Sequence, residues 1–167
     1  MRILFISLVS LTMILISCQK KNVPAKEEFP LYETPEKPIA ICKLKRGGCF
    51  GKCPIYDVSF MSNGTVIYKG MNHVPKTGEF TAQATIAQIN SIIRKANELK
   101  VWDMNDYYPD EFREIQDAPV TTVELKAKDQ VKVVKEKMRT PKELKEFHKF
   151  IDDLTNELFE LNVNETK

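Results

Sequence analysis

Residues 55–68 constrain the fold more than any other stretch. Tyr56, Val58 and Phe60 alternate with Asp57, Ser59 and Met61, the period of a strand with one buried face. Ser62-Asn63-Gly64 follows as a turn, and Val66 and Tyr68 resume the alternation. A two-residue Asn-Gly loop would pair Phe60 with Ile67 and Val58 with Lys69, scattering the apolar set over both faces. A three-residue loop with Gly64 left-handed pairs Phe60 with Val66 and Val58 with Tyr68, and keeps one apolar face. The second register is expected.

Other elements are read around this hairpin. Residues 39–44, Ile-Ala-Ile-Cys-Lys-Leu, make a strand that is apolar on both faces at its start, and residues 78–82 make another. Thr85 and Gln88 form a capping box, and Ile86, Ile89, Ile92, Ile93, Ala96 and Leu99 recur at helical spacing behind it. Residues 120–127 and 131–138 read as a second hairpin around Lys128-Asp129-Gln130. Thr140 and Glu143 suggest a second capping box with Pro141 at the first helical position, and Leu144, Phe147, Ile151, Leu154 and Leu158 trace the face of a second helix. The expected fold class is α+β, an antiparallel sheet of two hairpin-plus-helix units with both helices on one face, where the sheet buries both stripes.

The start of the chain points to a membrane. Arg2 precedes an apolar run over residues 3–16 that is too short to span a bilayer, and Leu15-Ile16-Ser17-Cys18 closes it. Leu-x-Ser-Cys resembles the lipobox of bacterial lipoproteins. The resemblance implies that residues 1–17 are a signal peptide and that Cys18 is the lipidation site, acylated more than once for stable anchoring. Gln19 in place of an aspartate favours the outer membrane, with the protein facing the periplasm. Residues 18–38 contain Pro24, Pro30, Pro35 and Pro38, mixed charge and no helical period, and read as a tether reaching on the order of 25 Å. Residues 39–160 are long enough for a single domain, and residues 161–167 read as a tail.

Composition bears on partners. The 167 residues carry 25 Lys and Arg against 23 Asp and Glu, and loss of Arg2 with the leader leaves an excess of one. That balance argues against nucleic acid, whose binders concentrate a basic excess on one face. The expected partners are the membrane, through the lipid, and an envelope protein or peptide. No cofactor and no catalytic constellation is recognised, so the chain is read as a non-catalytic binding domain.

Arg46-Gly47-Gly48-Cys49-Phe50-Gly51-Lys52-Cys53-Pro54-Ile55-Tyr56, followed by Asn63-Gly64-Thr65-Val66-Ile67-Tyr68, resembles the R-G-x-C-F-G-x-C-P-x-Y signature of a bacterial lipoprotein family of unknown function. The resemblance implies an exported or lipid-anchored domain over residues 39–158, and singles out Arg46, Gly47, Gly51, Pro54, Tyr56 and Gly64 as motif positions. Cys42 stands outside the signature.

Three readings of the cysteines compete. In an oxidising compartment Cys49 and Cys53 are expected to form a structural disulfide in their glycine-rich turn, leaving Cys42 a buried thiol. Pairing of Cys42 with one of the others is the rival connectivity. Cys-x-x-x-Cys-Pro also resembles the site of periplasmic copper chaperones, where Cys49, Cys53 and His73 or His148 would hold Cu(I), and dithiol redox chemistry is a third possibility. Asp103, Asp106, Asp110, Glu111, Glu114 and Asp117 crowd a long loop without the spacing of a calcium site, and read as solvated.

Overall fold

The computed structural model describes residues 30–109, 118–138 and 140–161. Seven strands and two helices succeed one another as β1 (Ala40–Arg46), β2 (Ile55–Met61), β3 (Thr65–Asn72), β4 (Gly78–Gln83), α1 (Ile86–Glu98), β5 (Tyr107–Tyr108), β6 (Thr121–Ala127), β7 (Gln130–Glu136) and α2 (Lys142–Phe159). They build one sheet in the order β4-β3-β2-β1-β6-β7-β5. The fold is mixed α and β, but its layout departs from two hairpin-plus-helix repeats. The first unit is a four-stranded meander rather than a hairpin, and β1 joins it to the β6–β7 hairpin. The sheet is also not wholly antiparallel, because β5 adds to β7 in parallel.

The central hairpin has the expected register. Phe60 faces Val66, Val58 faces Tyr68, and Gly64 sits at φ +84 in the turn, where a Cβ would fall 2.6 Å from the Ala84 carbonyl oxygen. Leu44 continues this row through β1 to Val123 of β6 and Val134 of β7. All of these side chains are buried on one side of the sheet. The inward residues of the strands join Ile89, Ile92, Ile93 and Ala96 of α1 and Phe147, Ile151 and Leu154 of α2 in a single core. A bulge in β1 between Ala40 and Cys42 explains why Ile41 and Cys42 are both buried, since the extra residue breaks the alternation. On the other side of the sheet Lys43 and Lys45 pair with Glu124 across the β1–β6 junction, at 3.2 and 3.1 Å.

Helix α1 starts as its capping box dictates. The Thr85 hydroxyl accepts from the Gln88 N–H, and the Gln88 side chain accepts from the Thr85 N–H at 2.9 Å. The second capping box does not form. Pro141, not Thr140, occupies the cap of α2, and the Thr140 hydroxyl donates to Glu136 Oε2 at 2.5 Å. Glu136 is a largely buried carboxylate, and it takes the hydroxyl that the helix end would have used.

Tyr32 and Leu161, on either side of residues 39–160, are both buried. Residues 18–29 of the expected tether lie outside the described residues, but Tyr32 is only 5 % exposed and the Leu31 N–H donates to Asn90 Oδ1 of α1 at 2.8 Å. At the other end Leu161, assigned to the tail, is buried, and its N–H donates to the Asn156 carbonyl. Residues 162–167 lie outside the described residues, as do the leader and Cys18. Of the acidic loop, only Asp103 and Asp106 are described, and Asp106 pairs with Lys132 at 2.7 Å. Among the described residues no helix is long and apolar enough to cross a membrane.

Candidate functional site

Strand register decides what stands at the end of the sheet. Two residues beyond Leu44, the inward row becomes Arg46 on β1, Tyr56 on β2 and Gly70 on β3. An arginine thus occupies a core-facing position, where an unpaired cation would be costly. Asp152 of α2 meets it. Arg46 Nη2 donates to Asp152 Oδ2 at 2.5 Å, and Nε lies 3.3 Å from Oδ1 and 3.1 Å from the Tyr56 hydroxyl. The Tyr56 hydroxyl in turn donates to Asp152 Oδ1. This two-armed geometry gives a guanidinium and a carboxylate their strongest pairing. Burial, then the Asp152 charge, push the Tyr56 hydroxyl well above the usual range for tyrosine, so it stays protonated and acts as a donor.

Gly70 leaves the third place in this row empty. A Cβ there would sit 2.0 Å from the Lys76 carbonyl oxygen and 3.0 Å from Val74 Cγ2, so the β3–β4 connection folds directly over it. Lys76 then reaches the end of α2 and donates to the Phe159 carbonyl at 2.7 Å. That contact places a cation on the negative end of the helix. Beneath the connection lies an aromatic cluster centred on Tyr68, whose ring centroid is 5.6 Å from that of Tyr56 and 5.4 Å from that of Phe159.

Between this connection, the Arg46–Asp152 pair and the end of α2 opens a cavity of about 430 Å³. Its walls include Pro54, Tyr56, Tyr68, Val74 and Leu161, with Lys52 and His73 among the polar groups. Both are exposed, and Lys52 makes no hydrogen bond or ion pair among the described residues.

The cysteine turn forms one side of the approach. Cys49 and Cys53 are joined as a disulfide with Cα atoms 5.7 Å apart, and Cys42 is a free, fully buried thiol. Burial, with a smaller push from Glu124, raises the Cys42 thiol far from the thiolate form. The Gly51 N–H points to Cys49 Sγ, and the Gly47 N–H donates to the Val120 carbonyl at 2.9 Å, extending the β1–β6 ladder by one bond. Phe50 at the tip of the ring is 90 % exposed. The copper set is not assembled: the two sulfurs are bonded to each other, and among the described residues no three His, Cys, Asp or Glu side chains are gathered to hold a metal.

Of the motif residues, Arg46, Pro54 and Tyr56 meet at the cavity, Gly47, Gly51 and the cysteines shape the turn beside it, and Gly64 lies at the far end of the sheet. His73 reaches the cavity rim. His148 is buried on α2, and burial, reinforced by the Arg46 charge, holds its pKa down to about 3. Sequence reasoning missed Asp152. The arginine and its carboxylate are 106 residues apart, and the only local hint is an acidic residue beside the apolar stripe of α2.

Residues 41–155 match the model of a domain of unknown function, DUF6438. No curated protein matches the chain.

Proposed function

The chain belongs to the DUF6438 family, whose domain has no assigned function, and we propose that it is a lipid-anchored, non-catalytic binding domain of the bacterial envelope. In this reading residues 1–17 are removed as a signal peptide and Cys18 carries the lipid. The domain faces the periplasm from the outer membrane and recognises an envelope component through the cavity beside the disulfide turn. The observation that carries the binding role is the cavity itself. It has the size of a small-molecule or side-chain pocket, and its position is fixed by a paired arginine, a disulfide and a helix end. The groups of its paired end and of the turn beside it are engaged in structure rather than free for chemistry. The cysteines are consumed in a disulfide, Tyr56 is held protonated, and the Asp152 carboxylate is held by Arg46. A tether to the membrane would raise the effective concentration of such a domain near its target.

Two measurements test the reading. Labelled palmitate should enter the full chain and fail to enter Cys18→Ala; equal labelling of the two removes the anchor. A photo-crosslinking residue at position 74, on the cavity wall, should capture an envelope component in cells. The same residue at position 138, which is exposed and outside the cavity lining, should not. The same products from both positions would remove the cavity as the recognition site.

A further inference from the structure

The cavity's charges, counted one at a time, leave a cation. Arg46 is neutralised by Asp152 at 2.5 Å, and the helix end is met by Lys76 at 2.7 Å. What remains on the lining is Lys52, without a partner among the described residues, and His73. The rest of the wall is mostly apolar or aromatic, with Thr155 and Asn156 of α2 as its neutral polar side chains. One polar atom in that wall is also unmatched: the Tyr68 side chain is only 1 % exposed, and its hydroxyl has no hydrogen-bond partner. Buried hydroxyls are nearly always paired in folded proteins. An orphan in the wall of a cavity therefore marks a place where an incoming polar atom is expected.

We propose that this cavity binds a small organic anion with an aromatic body, its acid group held by Lys52 and its ring lodged against Tyr56, Tyr68 and Val74. A polar atom of the ligand supplies the missing partner of the Tyr68 hydroxyl. Offset or tilted ring contacts of the kind already made between Tyr56 and Tyr68 can extend to one more ring. An anion is preferred to a cation because the Asp152 charge and the partial negative charge of the α2 end are already answered. The inference rests on the proposed role of the cavity as a binding site, and adds the chemistry of the ligand.

The probes are three aryl acetates, phenylacetate, 4-hydroxyphenylacetate and indole-3-acetate, each against its neutral amide. They are titrated calorimetrically into the full chain in detergent, with the disulfide intact. At least one acid should bind at least tenfold more tightly than its amide. Lys52→Ala should bring that acid down to the level of the amide. Tyr68→Phe should weaken it severalfold while leaving the unfolding midpoint unchanged or higher, since the lost hydroxyl had no partner in the free protein. This last combination separates ligand contact from mere packing. Equal binding of acids and amides would overturn the anion and leave the cavity as a binding site. Absence of binding by all six compounds would overturn the inference, whereas the role of the cavity itself stands or falls on the crosslinking at position 74.

Discussion

His148 should make the stability of this domain depend on pH in a range where most proteins change little. Its imidazole is 5 % exposed on the inner face of α2, and burial with the nearby Arg46 charge holds its pKa at about 3, against about 6.5 in an unfolded chain. The folded state therefore keeps the ring neutral while the unfolded state takes up a proton first. Stability falls as pH drops below 6.5, and this contribution levels off near pH 3. Each unit of separation is worth about 1.4 kcal/mol, so between pH 7 and pH 5 the loss comes to about 2 kcal/mol. Urea unfolding followed by the fluorescence of Trp102, the only tryptophan of the chain, can be run at pH 7, 6 and 5. His148→Leu serves as the comparison. The carboxylates titrate in both proteins and cancel in the difference, so the variant should lose about 2 kcal/mol less than the wild type over this range. Parallel pH profiles would refute the reasoning, whatever the absolute stability of the variant.

Asp152→Ala should cost about 2 to 3 kcal/mol in urea unfolding, because it strands a largely buried guanidinium. The combined Arg46→Met, Asp152→Ala protein should lose less than the sum of the two single changes, and strict additivity would deny the coupling. Gly70→Ala should destabilise by about 2 kcal/mol or more, since the new methyl meets the Lys76 carbonyl oxygen; an unchanged midpoint would mean that the connection does not lie across β3. Reduction of the disulfide should lower stability by about 2 kcal/mol, the size expected for so short a loop. Digests of unreduced protein should link Cys49 to Cys53 with Cys42 free, and any other linkage contradicts the buried thiol.

The legible parts of this fold are those written in neighbouring residues. Period-two alternation and one left-handed glycine settle the β2–β3 register, and a hydroxyl and an amide three positions apart start α1. Where two partners compete, local rules fail. Thr140 has the spacing of a cap, yet Glu136 lies within reach once β7 and α2 are packed. Tyr32 sits among prolines and charges that read as tether, and its burial depends on a core that exists only once distant elements have packed. Strand β5 is two residues long and has no pattern to detect. The candidate site depends most on distant partners. Arg46 and Tyr56 are visible as a motif, but the reason an arginine can point inward is a carboxylate on the last helix.

The place of β1 in the sheet has a consequence for how the chain comes to be folded. The strand is bonded on one side to β2, its neighbour in sequence, and on the other to β6, with Cys42 facing Leu125. Contacts of such long sequence separation are slow to form, because a large loop must close before they contribute. A growing chain can complete the β1–β4 meander and α1 while the far edge of β1, with Ile41, Cys42 and Leu44, has nothing to pair with. The half-built sheet then presents an apolar edge at what will become its centre, the kind of surface that recruits other strands. The finished protein ends in the short β5 and in β4, whose side chains are mostly exposed. The hazard is therefore confined to the interval before β6 arrives, and a chain stopped after α1 should aggregate where the full-length chain does not.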